Sequence, residues 1–133
     1  ANVGVAYDSD LVTEGDYSTK TASACALKLL SLANPPTAIF AANDQSAIGV
    51  FQVAKELGFR VPQDLSVIGF DNIPEAEYFD LTTIDQSLAK MGTLAAEMLI
   101  KLVKKEPVEQ LVSKMPTTLI VRKSCQEVKS IAK

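Results

Sequence analysis

Two short apolar runs, Thr37-Ala38-Ile39-Phe40-Ala41-Ala42 and Leu65-Ser66-Val67-Ile68-Gly69-Phe70, sit among stretches whose apolar residues recur at helical spacing. This alternation limits the fold more than any other feature. Runs this short read as strands, of the kind buried on both faces of a parallel sheet. The stretches between them carry one apolar face each, as crossover helices do.

The spacing predicts a first short strand at Leu11-Val12-Thr13-Glu14-Gly15-Asp16, ending in a turn. A helix follows from about Ser18 to Ala33, its buried face carried by Ala22, Cys25, Ala26, Leu29 and Leu32. Asn34-Pro35-Pro36 stops it, because proline lacks the amide proton and disfavours helix at the residue before it. After the second strand, Asn43 or Asp44 caps another helix. Its stripe is Ala47, Val50, Phe51, Ala54 and Leu57, and Gly58 suits its end. Val61 to Asp64 connects to the third strand. One helical turn over Glu75 to Phe79 and a short strand at Thr82-Thr83-Ile84 come next. A long helix runs from Leu88 to about Lys105 on Leu88, Met91, Ala95, Met98 and Leu102, and Pro107 closes it. The last strand is Thr117 to Arg122, and the polar tail from Lys123 to Lys133 is expected to fray. The order strand, helix, strand, helix, strand, strand, helix, strand means an α/β fold with a mostly parallel sheet and right-handed crossovers.

Composition removes whole classes of chemistry. The chain has 133 residues and no histidine, so Ser-His-Asp and Cys-His nucleophiles and histidine-ligated zinc or haem are out. A net charge of −3 argues against this segment gripping DNA, which needs a basic surface. Cys25 and Cys125 are too far apart for a paired-cysteine motif; they could form one disulfide but read rather as two reduced thiols. The six glycines form neither a dinucleotide nor a phosphate loop. No apolar run is long enough to span a membrane. Ala1-Asn2-Val3-Gly4 has neither the basic start nor the apolar run of a signal peptide. Neither an enzyme nor a cofactor is expected.

In open α/β sheets, ligands bind beyond the carboxyl ends of the strands. Two such ends are polar here, Asn43-Asp44-Gln45 and Asp71-Asn72. Asp16-Tyr17 joins them if the first strand is parallel too. An amide, a carboxylate and an aromatic ring converging on one edge suit a sugar or similar polyol. The carboxylate accepts from hydroxyls, the amide donates and accepts, and the ring covers the apolar sugar face. Plainer readings stand beside these: Asn43 as a helix cap, Asp71 and Asn72 as turn residues, Tyr17 as a core residue at a helix start.

Five segments carry a resemblance beyond spacing. Pro36 to Gly49, with Asn43-Asp44 followed by Ala47 and Gly49, is one. Val61-Pro62-Gln63-Asp64-Leu65-Ser66-Val67-Ile68-Gly69-Phe70-Asp71-Asn72 is the second. Leu81-Thr82-Thr83-Ile84-Asp85-Gln86 with Met91-Gly92 is the third. Pro116 to Cys125, with Arg122 and Ser124, is the fourth, and Glu14-Gly15-Asp16-Tyr17 the fifth. In their order along the chain they resemble the LacI/GalR family of bacterial transcription regulators, from about Leu11 to Cys125.

The resemblance implies a periplasmic-binding-protein-like effector domain, in which two α/β lobes enclose a small ligand, often a sugar or nucleobase. It implies effector contacts at Asn43, Asp71 and Tyr17, with Gln86 at the crossover between lobes. Leu88 stands where family members present an aromatic. Residues 11–81 and 113–125 would form the C-terminal lobe, and 82–112 a crossover and a helix that belongs to the N-terminal lobe. The helix-turn-helix domain, most of the N-terminal lobe and a central strand of this lobe have no counterpart in the chain. It then reads as part of a cytoplasmic regulator that binds a small effector and reaches DNA only through an N-terminal domain outside this chain. The apolar stripe of the long helix would be covered by another copy of the chain or by rearranged packing. The alternative is a periplasmic sugar-binding protein of a transport system.

Overall fold

A computed structural model describes residues 6–127. The helix α1 spans Thr19–Leu30 and is capped by Ser18, whose Oγ accepts from the Thr21 amide at 3.2 Å. It ends three residues before the expected Ala33, so the prolines lie beyond a short turn. The strand β1 (Ala38–Phe40) and the helix α2 (Asp44–Glu56) follow. After β2 (Ser66–Ile68) come the short helix α3 (Pro74–Tyr78) and β3 (Thr83–Asp85). The long helix α4 (Leu88–Val103) and β4 (Thr118–Ile120) complete the order.

β1 and β2 pair in parallel, Ile39 opposite Val67. A parallel bridge from Ile68 to Thr82 carries the sheet towards β3. β4 then runs antiparallel to β3, Ile84 opposite Leu119. The α/β class with a parallel sheet stands, with an antiparallel edge where the chain returns after α4.

The core lies between α1, α2 and the β1–β2 pair, around Leu29, Leu30, Val50, Val53, Leu65 and Val67. The two helices cross closely at Gly49. A Cβ there would lie 2.5 Å from the Thr19 carbonyl oxygen and 3.0 Å from the Ser23 amide nitrogen. Only glycine lets the backbones approach so far. Phe51 and Phe79, with ring centroids 5.4 Å apart, seat the end of α3 against α2.

Four expectations are corrected. Leu11 to Asp16 is not a strand: a 3-10 turn covers Ser9–Leu11, and backbone outside any strand or helix follows. The Glu14 carbonyl accepts from Cys25 Sγ at 3.4 Å rather than from a strand. A groove of about 370 Å³ opens between this segment, α1 and β1. For that reason β1 is not buried on both faces: only Ile39 is buried, and Phe40 is 62% exposed. Leu57, expected in the α2 stripe, is exposed, because α2 ends at Glu56 and Leu57 lies past its last turn. Finally, the start of the tail does not fray. The Lys123 and Ser124 amides both bond the Asp80 carbonyl at 3.0 Å, and Ser124 is buried. Residues 128–133, the remainder of that expectation, lie outside the described residues.

Candidate functional site

The polar residues singled out from the sequence gather beyond the carboxyl ends of β1, β2 and β3. Each is fixed by a bond to a neighbouring element. Tyr17 precedes α1 with a positive φ of 66°, a conformation uncommon for residues other than glycine. Its side chain is 67% exposed, so it is not a core residue. What holds its backbone is Asn43, whose Nδ2 donates to the Tyr17 carbonyl at 3.2 Å.

Asn43 caps α2 as well, its Oδ1 accepting from the Ser46 amide at 2.8 Å. The cap reading and the binding reading therefore coexist. A primary amide carries two N–H donors and two oxygen lone pairs. The cap and the Tyr17 bond use one of each and leave one of each for a ligand.

Asp71 follows β2. Its amide bonds the Ile84 carbonyl at 2.9 Å, which sets the loop after β2 alongside β3. Its φ is 110° and that of Asn72 is 55°. Two successive residues of this kind store backbone strain, and such strain collects at functional sites. Gln86, just past β3, donates from Nε2 to Asp71 Oδ1 at 2.6 Å. Asn72 Oδ1 accepts from Arg122 Nη2 at 2.9 Å, and Arg122 Nη1 donates to the Leu81 carbonyl at 2.7 Å.

The two halves of the edge are joined at the backbone, where the Asp44 amide donates to the Phe70 carbonyl at 2.8 Å. The loop that carries Asn43 is thereby held beside the loop that carries Asp71. Nearby, Ser18 donates to Asp16 from Oγ at 2.6 Å and from its amide at 3.0 Å. These bonds favour the charged carboxylate and lower its pKa. Leu88, at the start of α4, is exposed.

The 370 Å³ groove is a separate feature. Its lining is mostly apolar, including Leu11, Val12, Leu29, Ile39 and Phe40, and contains none of Tyr17, Asn43, Asp71 or Gln86. The polar side chains singled out from the sequence lie at the strand-end edge instead. Among the described residues, no group of three or more histidine, cysteine, aspartate or glutamate side chains is placed to hold a metal ion. No described helix is long and apolar enough to cross a membrane.

Sequence reasoning missed Thr83 and Arg122, which shape this edge from 11 and 50 residues along the chain. It placed Asp44 at a polar strand end and as an alternative helix cap, without a partner for its carboxylate. The one available signal was the placement of Thr83 and Arg122 within the segments that carry the family resemblance.

Comparison with known proteins gives a consistent result. Residues 1–125 match the family model of the periplasmic binding protein-like domain. The HTH-type transcriptional repressor PurR of Photobacterium profundum is 36% identical over 130 residues, covering 96% of this chain and 39% of that protein. PurR of Pasteurella multocida is 36% identical over 123 residues, covering 91% and 37%. Among solved structures, a transcriptional regulator CelR–cellobiose complex superposes with a TM-score of 0.85 at 32% identity, covering 92% of this chain and 38% of that one. The transcription regulator CcpA of Lactococcus lactis gives 0.85 at 31% identity, covering 94% and 46%. The chain spans about two fifths of the length of the curated relatives it matches.

Proposed function

The chain belongs to the periplasmic binding protein-like domain family, and from that premise we propose that it is the ligand-sensing part of a LacI-type transcription regulator. The effector is a small polar metabolite, a sugar or a related compound. It lies against the strand-end edge, where Asp71 accepts from ligand hydroxyls, Asn43 donates and accepts, Tyr17 covers an apolar face and Gln86 orients Asp71. The observation that carries this reading is the pair of hydrogen bonds Asn43–Tyr17 and Gln86–Asp71, held side by side at three strand ends by the Asp44–Phe70 backbone bond. Relatives that are transcription regulators support a regulator over an enzyme or a transport protein.

In the whole protein, effector binding favours one arrangement of two lobes, and differential affinity for the arrangements couples ligand to DNA binding. Residues 11–81 and 113–125 form one lobe, and 82–112 lead to the other, with β3 at their start still paired into the first lobe's sheet. DNA is contacted by a domain outside this chain, and the whole protein works in the cytoplasm, where its operator lies. In the 133-residue chain by itself, two copies cover the apolar stripe of α4 for one another.

Calorimetric titration of cellobiose, glucose, ribose and adenine into the whole protein tests the effector. One of these chemical classes binds, Asp71→Asn weakens it, and the 133-residue chain alone binds it weakly or not at all. Unchanged affinity in both Asp71→Asn and Asn43→Ala would remove the edge from the binding site.

A further inference from the structure

We infer that Asp44 is the positioning residue of this edge, holding the Asp71–Asn72 turn at both ends. The inference rests on the reading of Asp71 as an effector contact for its functional meaning, and on geometry alone for the turn itself.

Asp44 is 0% exposed. Neither ion pair among the described residues involves it. A buried carboxylate without a cation is strongly unfavourable unless its oxygens are well bonded. Both are. Oδ1 accepts from Thr83 Oγ1 at 2.6 Å and Oδ2 from the Ile73 amide at 2.9 Å. The carboxylate also stands at the first position of α2, where the helix dipole favours negative charge.

The placement of these bonds matters more than their number. The Asp44 amide grips the Phe70 carbonyl, the residue before the turn. The Asp44 side chain grips the Ile73 amide, the residue after it. Between these two grips lie only Asp71 and Asn72, both at positive φ. One residue therefore closes a clamp around the strained pair. Thr83 shares the clamp, since its Oγ1 donates to Asp44 and faces the Asn72 amide at 3.4 Å. Space for the carboxylate is provided by Gly69, where an added Cβ would collide with Asp44 Oδ1. A helix cap needs none of this. Asn43 already caps α2, so the Asp44 carboxylate is free to serve the turn.

The test is amide hydrogen exchange and ¹⁵N–¹H spectra of the 133-residue chain and its variants, with no ligand present. In Asp44→Ala, Ile73 protection falls at least tenfold, and the Asp71 and Asn72 signals shift or broaden. The amides of Ala41 and Val67, bonded to Ile68 and Ser124, keep their protection. Asp44→Asn, which retains an acceptor for Ile73 and a polar group facing Thr83, restores Ile73 protection. If Asp44→Ala does not fold, Thr83→Val takes its place, removing one hydroxyl at nearly constant volume and shifting the same three signals. Signals at Asp71, Asn72 and Ile73 that match the parent in a folded variant overturn the inference. Because no ligand enters, this result stands apart from the effector reading, which the Asp71→Asn titration decides.

Discussion

Gln86 Nε2 donates to Asp71 Oδ1 at 2.6 Å, joining two residues 15 positions apart. The bond leaves the other Asp71 oxygen for a ligand and fixes its direction. A hydrogen bond to a charged group contributes about 1.5–3 kcal/mol, which is roughly ten- to a hundredfold in affinity. Asp71→Asn in the whole protein is expected to weaken the effector by that factor. Gln86→Ala, which frees the carboxylate without removing it, has a smaller effect. Calorimetry with the compound bound by the parent protein measures both.

Gly49 sets the distance between α1 and α2. An alanine there places its methyl carbon against the Thr19 carbonyl and the Ser23 amide, which are backbone and cannot rotate away. The helices must separate, and overpacking of this kind costs about 1–3 kcal/mol. Urea denaturation of Gly49→Ala should show a lower midpoint at an unchanged slope. An unchanged midpoint would mean that the crossing is loose.

The contrast between α2 and β1 shows what a sequence can and cannot disclose. Asn43, the apolar stripe through Ala47, Val50 and Ala54, and the stop near Gly58 are local signals, and α2 formed where they placed it. The apolar run around Ile39 is equally local and does form a strand. Whether both its faces are buried depends on what lies beside it, and here one side is an open groove. Asn43 and Asp71 stood out from their places at strand ends and in the resembling segments, Tyr17 and Gln86 from the segments, and hydrogen bonds tie Tyr17 to Asn43 and Gln86 to Asp71. Their other supports did not stand out. Thr83 reaches Asp44 across 39 residues and Arg122 reaches Asn72 across 50, and no periodicity encodes partners at such separations.

Ser124 welds the end of the chain into the sheet. Its Oγ accepts from the Thr82 amide at 2.7 Å and donates to the Val67 carbonyl, within a fully buried site. Ser124→Ala leaves the Thr82 amide buried and unpaired, which costs about 1–3 kcal/mol. The expected loss appears in chemical denaturation as a lower midpoint. A variant as stable as the parent would mean that water reaches this amide.

Asp64 is held by Arg60 in a bidentate pair, Nε to Oδ2 at 2.6 Å and Nη2 to Oδ1 at 2.7 Å, with the Arg60 amide adding a third bond. These bonds favour the charged carboxylate and lower its pKa from 3.8 to about 2. A depressed folded-state pKa gives stability that is present above the unfolded value and lost as pH falls. The window is therefore from 3.8 down to about 2, and neutral pH lies outside it. Carboxyl ¹³C titration should place Asp64 near the low end, and Arg60→Gln should return it towards the ordinary aspartate range. An Asp64 that titrates in the ordinary range in the parent chain would show that the pair does not persist in solution.

Leu88, Met91, Ala95, Met98 and Leu102 alternate three and four residues apart along α4, the spacing of a coiled-coil seam. No residue of α4 is buried, so the seam is uncovered among the described residues. Leu88, Met91, Met98 and Leu102 each gain about 1.5–3 kcal/mol when fully buried. A second copy presents the same seam and can interdigitate with it, which makes another α4 the occupant that fits best. The 133-residue chain is expected to sediment as a dimer at high micromolar concentration. Met91→Glu and Leu102→Glu each place a charge in the seam at positions already exposed in the monomer, so they dissociate the dimer and leave the far-ultraviolet circular dichroism unchanged. A parent chain that sediments as a monomer under those conditions would rule out the seam as a self-association surface.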